Sequence, residues 1–567
     1  MKPKKFLVIL FGMVAFVLAV EGSSTAYGQS KKEAGDTKYW ILFADKDAGL
    51  GKGPAAIEPG FVSERALARR KLRGRQMPKS FDAPVSPAYV ETLESMGIEP
   101  IVQSRWINGV SAWLSPEELA SVEKLSFVRE LRAVAVSVEQ SIPEPVVVST
   151  SSSPMELNFG LSSAQMTAIN AVDPIEQGII GTGILLGFLD TTTDTLHPAL
   201  KHLADDGRIV AVRDFTTEAG LALQTNKHAL NTASVALGFD EGNIIGACYG
   251  GEYMLGTTEY APSETNQEED FFVAGMEWME RMGADIVNVS LGYSTFDTGQ
   301  HSYTYEDMDG NTAITTRAAD RAAGLGVVVV VSAGNESCAS PDNCWYYITS
   351  PADGDSVITA GASFLDGTPV SFSGAGPTYD GRIKPDVAAP GYDVKFATSS
   401  GGYGSGGGTS FSSPFVASVA CQILQANPNL NPIDVRTILR ATASQASNPD
   451  NKLGWGVINS QAAVSLSKVA ITGTETEGLP EGSPSIAVYP NPAADESVVS
   501  VDSPPERGDI RIALYDVLGR EVVEARPARA GQAVTATLTV RNLPAGTYFV
   551  SISGDGIAES RPLIVTH

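Results

Sequence analysis

The chain has little of several things, and each shortage narrows what it can be. It holds 4 cysteines in 567 residues, too few for the disulfide scaffold on which small exported domains rely. No Cys-x-x-Cys or His-Glu-x-x-His occurs, so a zinc site has no support, and no metal or cofactor is expected. Basic residues are outnumbered. Lys and Arg total 40 against 65 Asp and Glu, a formal charge of −25, and that field repels phosphate backbones, so nucleic acid is not an expected partner. There are only 5 histidines, which allows a general base to be sought by elimination.

Long apolar runs are missing too, apart from one. Lys2, Lys4 and Lys5 precede the run Phe6 to Val20, and a small-residue stretch ends in Ala26-Tyr27-Gly28. That layout predicts a secretory signal over residues 1–28, cleaved after Gly28. The run falls short of the roughly 20 apolar residues that a membrane-spanning helix needs.

What is present is ordinary globular composition, 43% hydrophobic with 56 Gly and 33 Pro, in a chain long enough for several folded units. Residues 34–140 alternate strand patterns with helical ones and predict a small α+β unit. Its strands are expected at Lys38–Phe43, Ile101–Ser104, Gly109–Leu114 and Phe127–Val136. Residues 141–154 are rich in Pro and Ser and read as an extended linker. Residues 155–468 carry short β-branched runs (Ile184–Leu189, Ile286–Val289, Val327–Val331, Val357–Ala360) between longer amphipathic segments. This is the pattern of an α/β fold with a mainly parallel sheet flanked by helices. A second linker over 469–484 leads to alternating runs over 485–567, expected to form a small β-sandwich.

Four points in the central region are placed for chemistry. Asp190 ends the apolar run Ile184-Leu-Leu-Gly-Phe-Leu189, at the carboxyl edge of a buried strand, where open α/β sheets place their sites. Among the histidines, His567 is terminal, His301 sits in a Tyr-rich loop, and His197 and His202 suit helix-start or solvated roles. His228 opens the helical pattern Ala229–Gly238, which would hold an imidazole rigidly. Ser410 lies in the glycine-rich Gly406-Gly-Gly-Thr-Ser410-Phe-Ser-Ser-Pro414 before the apolar helix Phe415–Leu424. Glycines allow close approach of a substrate, and the helix N-terminus favours a developing oxyanion. Asn335 closes Val331-Ser-Ala-Gly-Asn335, and its amide is a candidate donor to that oxyanion. Taken singly, each of these residues also has a plain structural reading as a cap or turn former.

Together and in this order they resemble the subtilisin-like serine proteases, the subtilases. Gly187-Phe-Leu-Asp190-Thr resembles the family's Asp motif, His228-Ala-Leu-Asn-Thr-Ala-Ser234 its His motif, Ser332-Ala-Gly-Asn335 its oxyanion Asn, and Gly408-Thr-Ser410-Phe-Ser-Ser-Pro414 its nucleophile. The segment Ile383-Lys-Pro-Asp-Val-Ala-Ala-Pro-Gly391 is similar to the stretch ahead of the family's serine, and Val289-Ser290-Leu291-Gly292 to its substrate-pairing edge. The order Asp, His, Ser is also this family's. The resemblance implies a secreted serine endopeptidase acting on polypeptides, with Asp190, His228 and Ser410 as triad, Asn335 as oxyanion donor and Ser290, Leu291 and Gly292 pairing with substrate. Thr192 and Ala229 stand where the family usually has glycine, which motivates the alternative of a catalytically impaired subtilase-fold surface binding protein.

The leading unit, with Ser63-Glu-Arg-Ala-Leu-Ala-Arg-Arg70 and Ser104-Arg-Trp-Ile-Asn-Gly-Val-Ser111, resembles the inhibitory propeptide of exported subtilases. The tail, with Val488-Tyr-Pro-Asn-Pro492, Asp516-Val-Leu-Gly-Arg-Glu521 and Leu543-Pro-Ala-Gly-Thr-Tyr548, is similar to the type IX secretion C-terminal sorting domain. The chain's own propeptide and the type IX machinery are therefore expected partners, and its destination the cell surface or medium by way of the periplasm. Cys338 and Cys344 share one polar loop and are read as a disulfide, whereas Cys248 and Cys421 are read as buried small hydrophobes.

Overall fold

The computed structural model describes residues 36–46, 60–74, 79–135, 157–218, 226–297, 299–337 and 345–469, and most of the tail between 485 and 565. The expected signal over 1–28, the linker over 141–154, and Cys338 and Cys344 lie outside the described residues.

Four strands open the chain: β1 (Thr37–Phe43), β2 (Val102–Ser104), β3 (Gly109–Leu114) and β4 (Val128–Ala135). They form an antiparallel sheet in the order β2-β3-β1-β4. Its helices are α1 (Glu64–Arg73), α2 (Pro87–Ser95) and α3 (Pro116–Val122). Period-two alternation in β1 splits its side chains. Ile41 and Phe43 join this unit's own core, while Trp40 and Leu42 join a core shared with the rest of the chain.

Seven parallel strands make the central sheet: β5 (Leu185–Asp190), β6 (Ile209–Asp214), β7 (Glu252–Thr257), β8 (Ile286–Val289), β9 (Val328–Ser332), β10 (Ile358–Ser363) and β11 (Val387–Pro390). The order is β11-β10-β9-β8-β5-β7-β6. Strands β5, β8 and β9 read as nearly continuous apolar runs because both faces are covered. Leu186, Phe188 and Val330 enter one core, Leu185, Leu189 and Val331 the other. Helices α4 (His228–Leu237) and α7 (Thr409–Ala426) cover the first face; α5 (Gln267–Met282) and α6 (Ile314–Gly324) cover the second.

Helix α5 shows how the sequence sets these bounds. Glu268, Glu269 and Asp270 complement the dipole at its start, Phe272, Met276 and Met279 form its buried stripe, and Gly283 ends it at φ 103°, a left-handed conformation that suits glycine. The outer face of α5 takes the leading sheet: Lys38 and Asp270 form an ion pair with both side chains fully buried. In the tail, two four-stranded antiparallel sheets enclose one core containing Val499, Leu514, Leu538 and Val550. Among the described residues, no helix is long and apolar enough to cross a membrane.

One expected helix is corrected. The stretch Phe415–Leu424 is helical, but its helix begins at Thr409 and runs through Pro414, so Ser410 sits inside the first turn rather than in a loop before it.

Candidate active site

The candidate site forms where β5, β8 and β9 end. Asp190 is the last residue of β5 and is fully buried. A carboxylate in such a place needs donors on both oxygens. Oδ1 accepts the Thr191 backbone N–H at 2.7 Å and lies 2.8 Å from His228 Nδ1, while Oδ2 accepts the Thr232 hydroxyl at 3.1 Å. His228 is the first residue of α4, and Thr232 lies one turn further along the same face.

The imidazole is anchored at its backbone as well, since the His228 N–H donates to Asn226 Oδ1 at 2.9 Å. Burial works against the imidazolium, but the Asp190 carboxylate outweighs it through charge and hydrogen bond, with Glu259 adding, and the His228 pKa is raised. The side chain is 27% exposed, so part of the ring reaches solvent. With Nδ1 committed to Asp190, Nε2 is the free acceptor of the neutral ring.

Ser410 is tied to the end of β8 by a reciprocal pair of bonds. Its hydroxyl donates to the Ser290 carbonyl at 3.2 Å, and its own carbonyl accepts the Ser290 hydroxyl at 2.9 Å. Pro414 explains the second bond. A proline four residues on has no N–H to give the Ser410 carbonyl, and Ser290 supplies the missing donor. Ser290 Oγ also accepts from Asn288 Nδ2 at 2.9 Å and lies 3.0 Å from Ser413 Oγ.

Asn335 follows β9 and Gly334, which holds φ 103°. Its Oδ1 accepts both the backbone N–H of Thr409 at 2.8 Å and the Thr409 hydroxyl at 2.9 Å. A backbone N–H can only donate, so this oxygen is identified unambiguously and Nδ2 becomes the outward end. Leu291 and Gly292 continue from Ser290 along the same rim. The Leu291 carbonyl accepts the Ser332 hydroxyl at 3.1 Å, and a side chain on Gly292 would come within 2.2 Å of Thr349 Oγ1.

The two departures at Thr192 and Ala229 have plain placements. The Thr192 hydroxyl donates to the Asn226 carbonyl at 2.6 Å, bracing the segment that carries His228, and Ala229 is fully buried in the core. His197 and His202 keep to structural positions. His197 caps a helix, its Nδ1 accepting the Ala199 N–H at 3.1 Å, and His202 Nε2 lies 3.2 Å from the Tyr249 carbonyl. Cys248 and Cys421 are buried and unbridged. Sequence reasoning missed Thr232, Thr409 and Glu259. Only Thr232 left a signal, its one-turn spacing from His228.

Comparison with known proteins bears on what such a rim belongs to. The Subtilase family matches residues 181–456. Subtilisin DY of Bacillus licheniformis is 30% identical over 288 residues, 51% of this chain and 93% of that protein. The chain belongs to the subtilase family. Subtilisin E of Bacillus subtilis (strain 168) is 26% identical, with 64% of this chain and 82% of that protein covered. For Serine protease AprX of the same organism the figures are 27%, 51% and 67%. This subtilase is thus a serine endopeptidase. The Peptidase S8 propeptide domain of Bacteroidota matches residues 38–147, and the Secretion system C-terminal sorting domain matches 487–566. The subtilase therefore carries its own propeptide and a type IX sorting tail that marks it for export to the surface or the medium.

Proposed function

We propose that this subtilase hydrolyses polypeptides through an acyl-enzyme formed on Ser410. In this reading the Ser410 hydroxyl turns from the Ser290 carbonyl toward His228 Nε2, gives up its proton and attacks the scissile carbonyl. His228 then passes that proton to the leaving amine, while Asp190 holds the imidazole in the Nδ1–H tautomer and supports its charge. The oxyanion is held by Asn335 Nδ2 and the backbone N–H of Ser410. Losing one such donor costs on the order of 10²- to 10³-fold in turnover, the range known for a subtilisin-type enzyme. The substrate pairs as an added strand along Ser290, Leu291 and Gly292.

The observation that carries this reading is the 2.8 Å contact of Asp190 and His228, formed by residues 38 apart in sequence at the rim where Ser410 also lies. The impaired binding-protein reading loses its motive, since Thr192 braces the His228 segment and Ala229 lies in the core.

The proposed organisation is a signal over 1–28, propeptide over 34–140, catalytic unit over 155–468 and sorting sandwich over 485–567. The linker over 141–154 is cut by the enzyme itself. A peptide-library digest with the mature enzyme should show cleavage that Ser410→Ala abolishes, and that variant's precursor should stay uncut in a protease-free preparation. Normal maturation of Ser410→Ala would refute self-release, and residual digestion by it would refute the nucleophile.

A further inference from the structure

Strands β8 and β9 lie side by side, with Val289 opposite Val331, and both end at the candidate site. Past their ends a third segment bridges the gap between them. The Thr349 N–H donates to the Ala333 carbonyl at 3.2 Å, on the side of β9. Ser350 exchanges two backbone hydrogen bonds with Tyr293, at 2.7 and 3.1 Å, on the side of β8. Thr349 is thus fixed between the exits of the two strands, and it is fully buried.

A glycine stands on each side of it. A Cβ added to Gly292 would collide with Thr349 Oγ1, and one added to Gly334 would lie 3.0 Å from Thr349 Cγ2 and 3.1 Å from Oγ1. The room that the two bare backbones leave is therefore taken up by the threonine side chain. Thr349 Oγ1 has no hydrogen-bond partner among the described residues, so no hydrogen bond accounts for its place. Leaving a buried hydroxyl unpaired costs stability, whereas filling the gap is what this side chain does.

In the acyl-enzyme reading the substrate runs along Ser290–Gly292, and its reacting carbonyl points at Asn335 Nδ2 and the Ser410 N–H. The side chain of the residue that supplies this carbonyl then enters between the segments Ser290–Gly292 and Ala333–Asn335, where Thr349 lies. We propose that Thr349 is the floor of the pocket for that side chain and makes it shallow, so that the enzyme cuts after alanine or serine in preference to phenylalanine or lysine. This rests on the acyl-enzyme at Ser410 and adds the class of bond that is cut. In a close-packed pocket a difference of one methylene is worth roughly 10- to 200-fold, and a phenyl ring exceeds alanine by far more than that.

The test uses the mature enzyme, its concentration set by fluorophosphonate labelling, and tetrapeptide nitroanilides that differ only in the residue before the scissile bond. The wild type should show kcat/KM at least tenfold higher for Ala than for Phe or Lys. Thr349→Gly should raise the Phe-to-Ala ratio at least tenfold. Thr349→Val keeps the height of the floor and removes only the hydroxyl, so its ratio should stay on the wild-type side. The wild-type and Val measurements decide the matter even if the glycine variant does not fold. A wild type that cuts after Phe as readily as after Ala overturns the shallow pocket, as does an unchanged ratio in folded Thr349→Gly. Lys faster than Ala also overturns it, because the Glu336 carboxylate, with Oε2 3.0 Å from a Cβ on Gly334, would then set the preference. An enzyme that neither takes the label nor cuts any of the substrates refutes the acyl-enzyme instead, and the label tells the two failures apart.

Discussion

Two oxygens of one buried carboxylate set the chemistry of the rim. Asp190 offers Oδ1 to His228 and Oδ2 to Thr232, so the hydroxyl holds the carboxylate in the plane that the imidazole needs. Thr232→Val keeps the shape and leaves Oδ2 without that donor, which should cost about 1–3 kcal/mol in urea unfolding. It should also move the acid limb of kcat/KM to higher pH, because a carboxylate relieved of one donor favours the imidazolium more strongly; Thr232→Ser should restore both. In the unaltered enzyme the raised His228 pKa places that limb above the ordinary imidazole value of about 6.5. Glu259 contributes to the rise, and Glu259→Gln should bring the limb down. An acid limb at or below the ordinary value would show that Asp190 does not dominate the ring's surroundings. Asp190, His228, Asn335 and Ser410 were legible in the sequence because each sits in a short local pattern. Thr409's grip on Asn335 was not, since it joins residues 74 apart and no local pattern encodes the meeting.

Among the elements, α7 is where sequence and structure part. Pro414 argues for a helix beginning after it, since an interior proline removes a backbone bond. The helix begins at Thr409 nonetheless, because the orphaned Ser410 carbonyl is satisfied by Ser290, 120 residues away. Ser290→Ala should therefore leave that carbonyl and the Asn288 amide short of partners and destabilise the protein by about 1–3 kcal/mol, measured by urea unfolding of an otherwise inactive Ser410→Ala background. An unchanged midpoint would show that the reciprocal pair contributes nothing. Most of the strands named from the sequence were legible to within a residue or so, but β10 runs on to Ser363, past the expected end at Ala360, and β6, β7 and β11 were not foreseen. Ile286–Val289 and Gly109–Leu114 stand as expected, and β5 shifts by one so that Asp190 is its last residue. Continuous apolar runs mark strands covered on both faces, whereas the order in which those strands lie side by side is written nowhere locally.

For the whole molecule, buried acids decide how stability follows pH. Burial pushes Glu259 and Glu269 up to about 7, and Asp320 and Asp353 up to about 6. Each binds its proton more tightly folded than unfolded, so its contribution is complete below the ordinary carboxylate range and is lost as pH rises through 6 and 7. His197 and His202 act in the opposite sense, burial having lowered both, but four carboxyls outweigh two imidazoles. The thermal midpoint of the Ser410→Ala protein should fall as pH is raised from about 5 to about 8; a midpoint that climbs over that span would contradict this balance. The leader, sheet and tail were legible as separate units from their composition. The placement of the arginine-rich helix α1 was not, because its partners Glu252 and the Glu280–Asp285 stretch come from two segments that only the fold brings together.

If Ser410 is a nucleophile activated by His228 and Asp190, a fluorophosphonate probe should label the mature enzyme, and peptide mapping will show where. One label per molecule is expected, carried on Ser410 and lost in His228→Ala. An unlabelled mature enzyme, or a label on another residue, would contradict it.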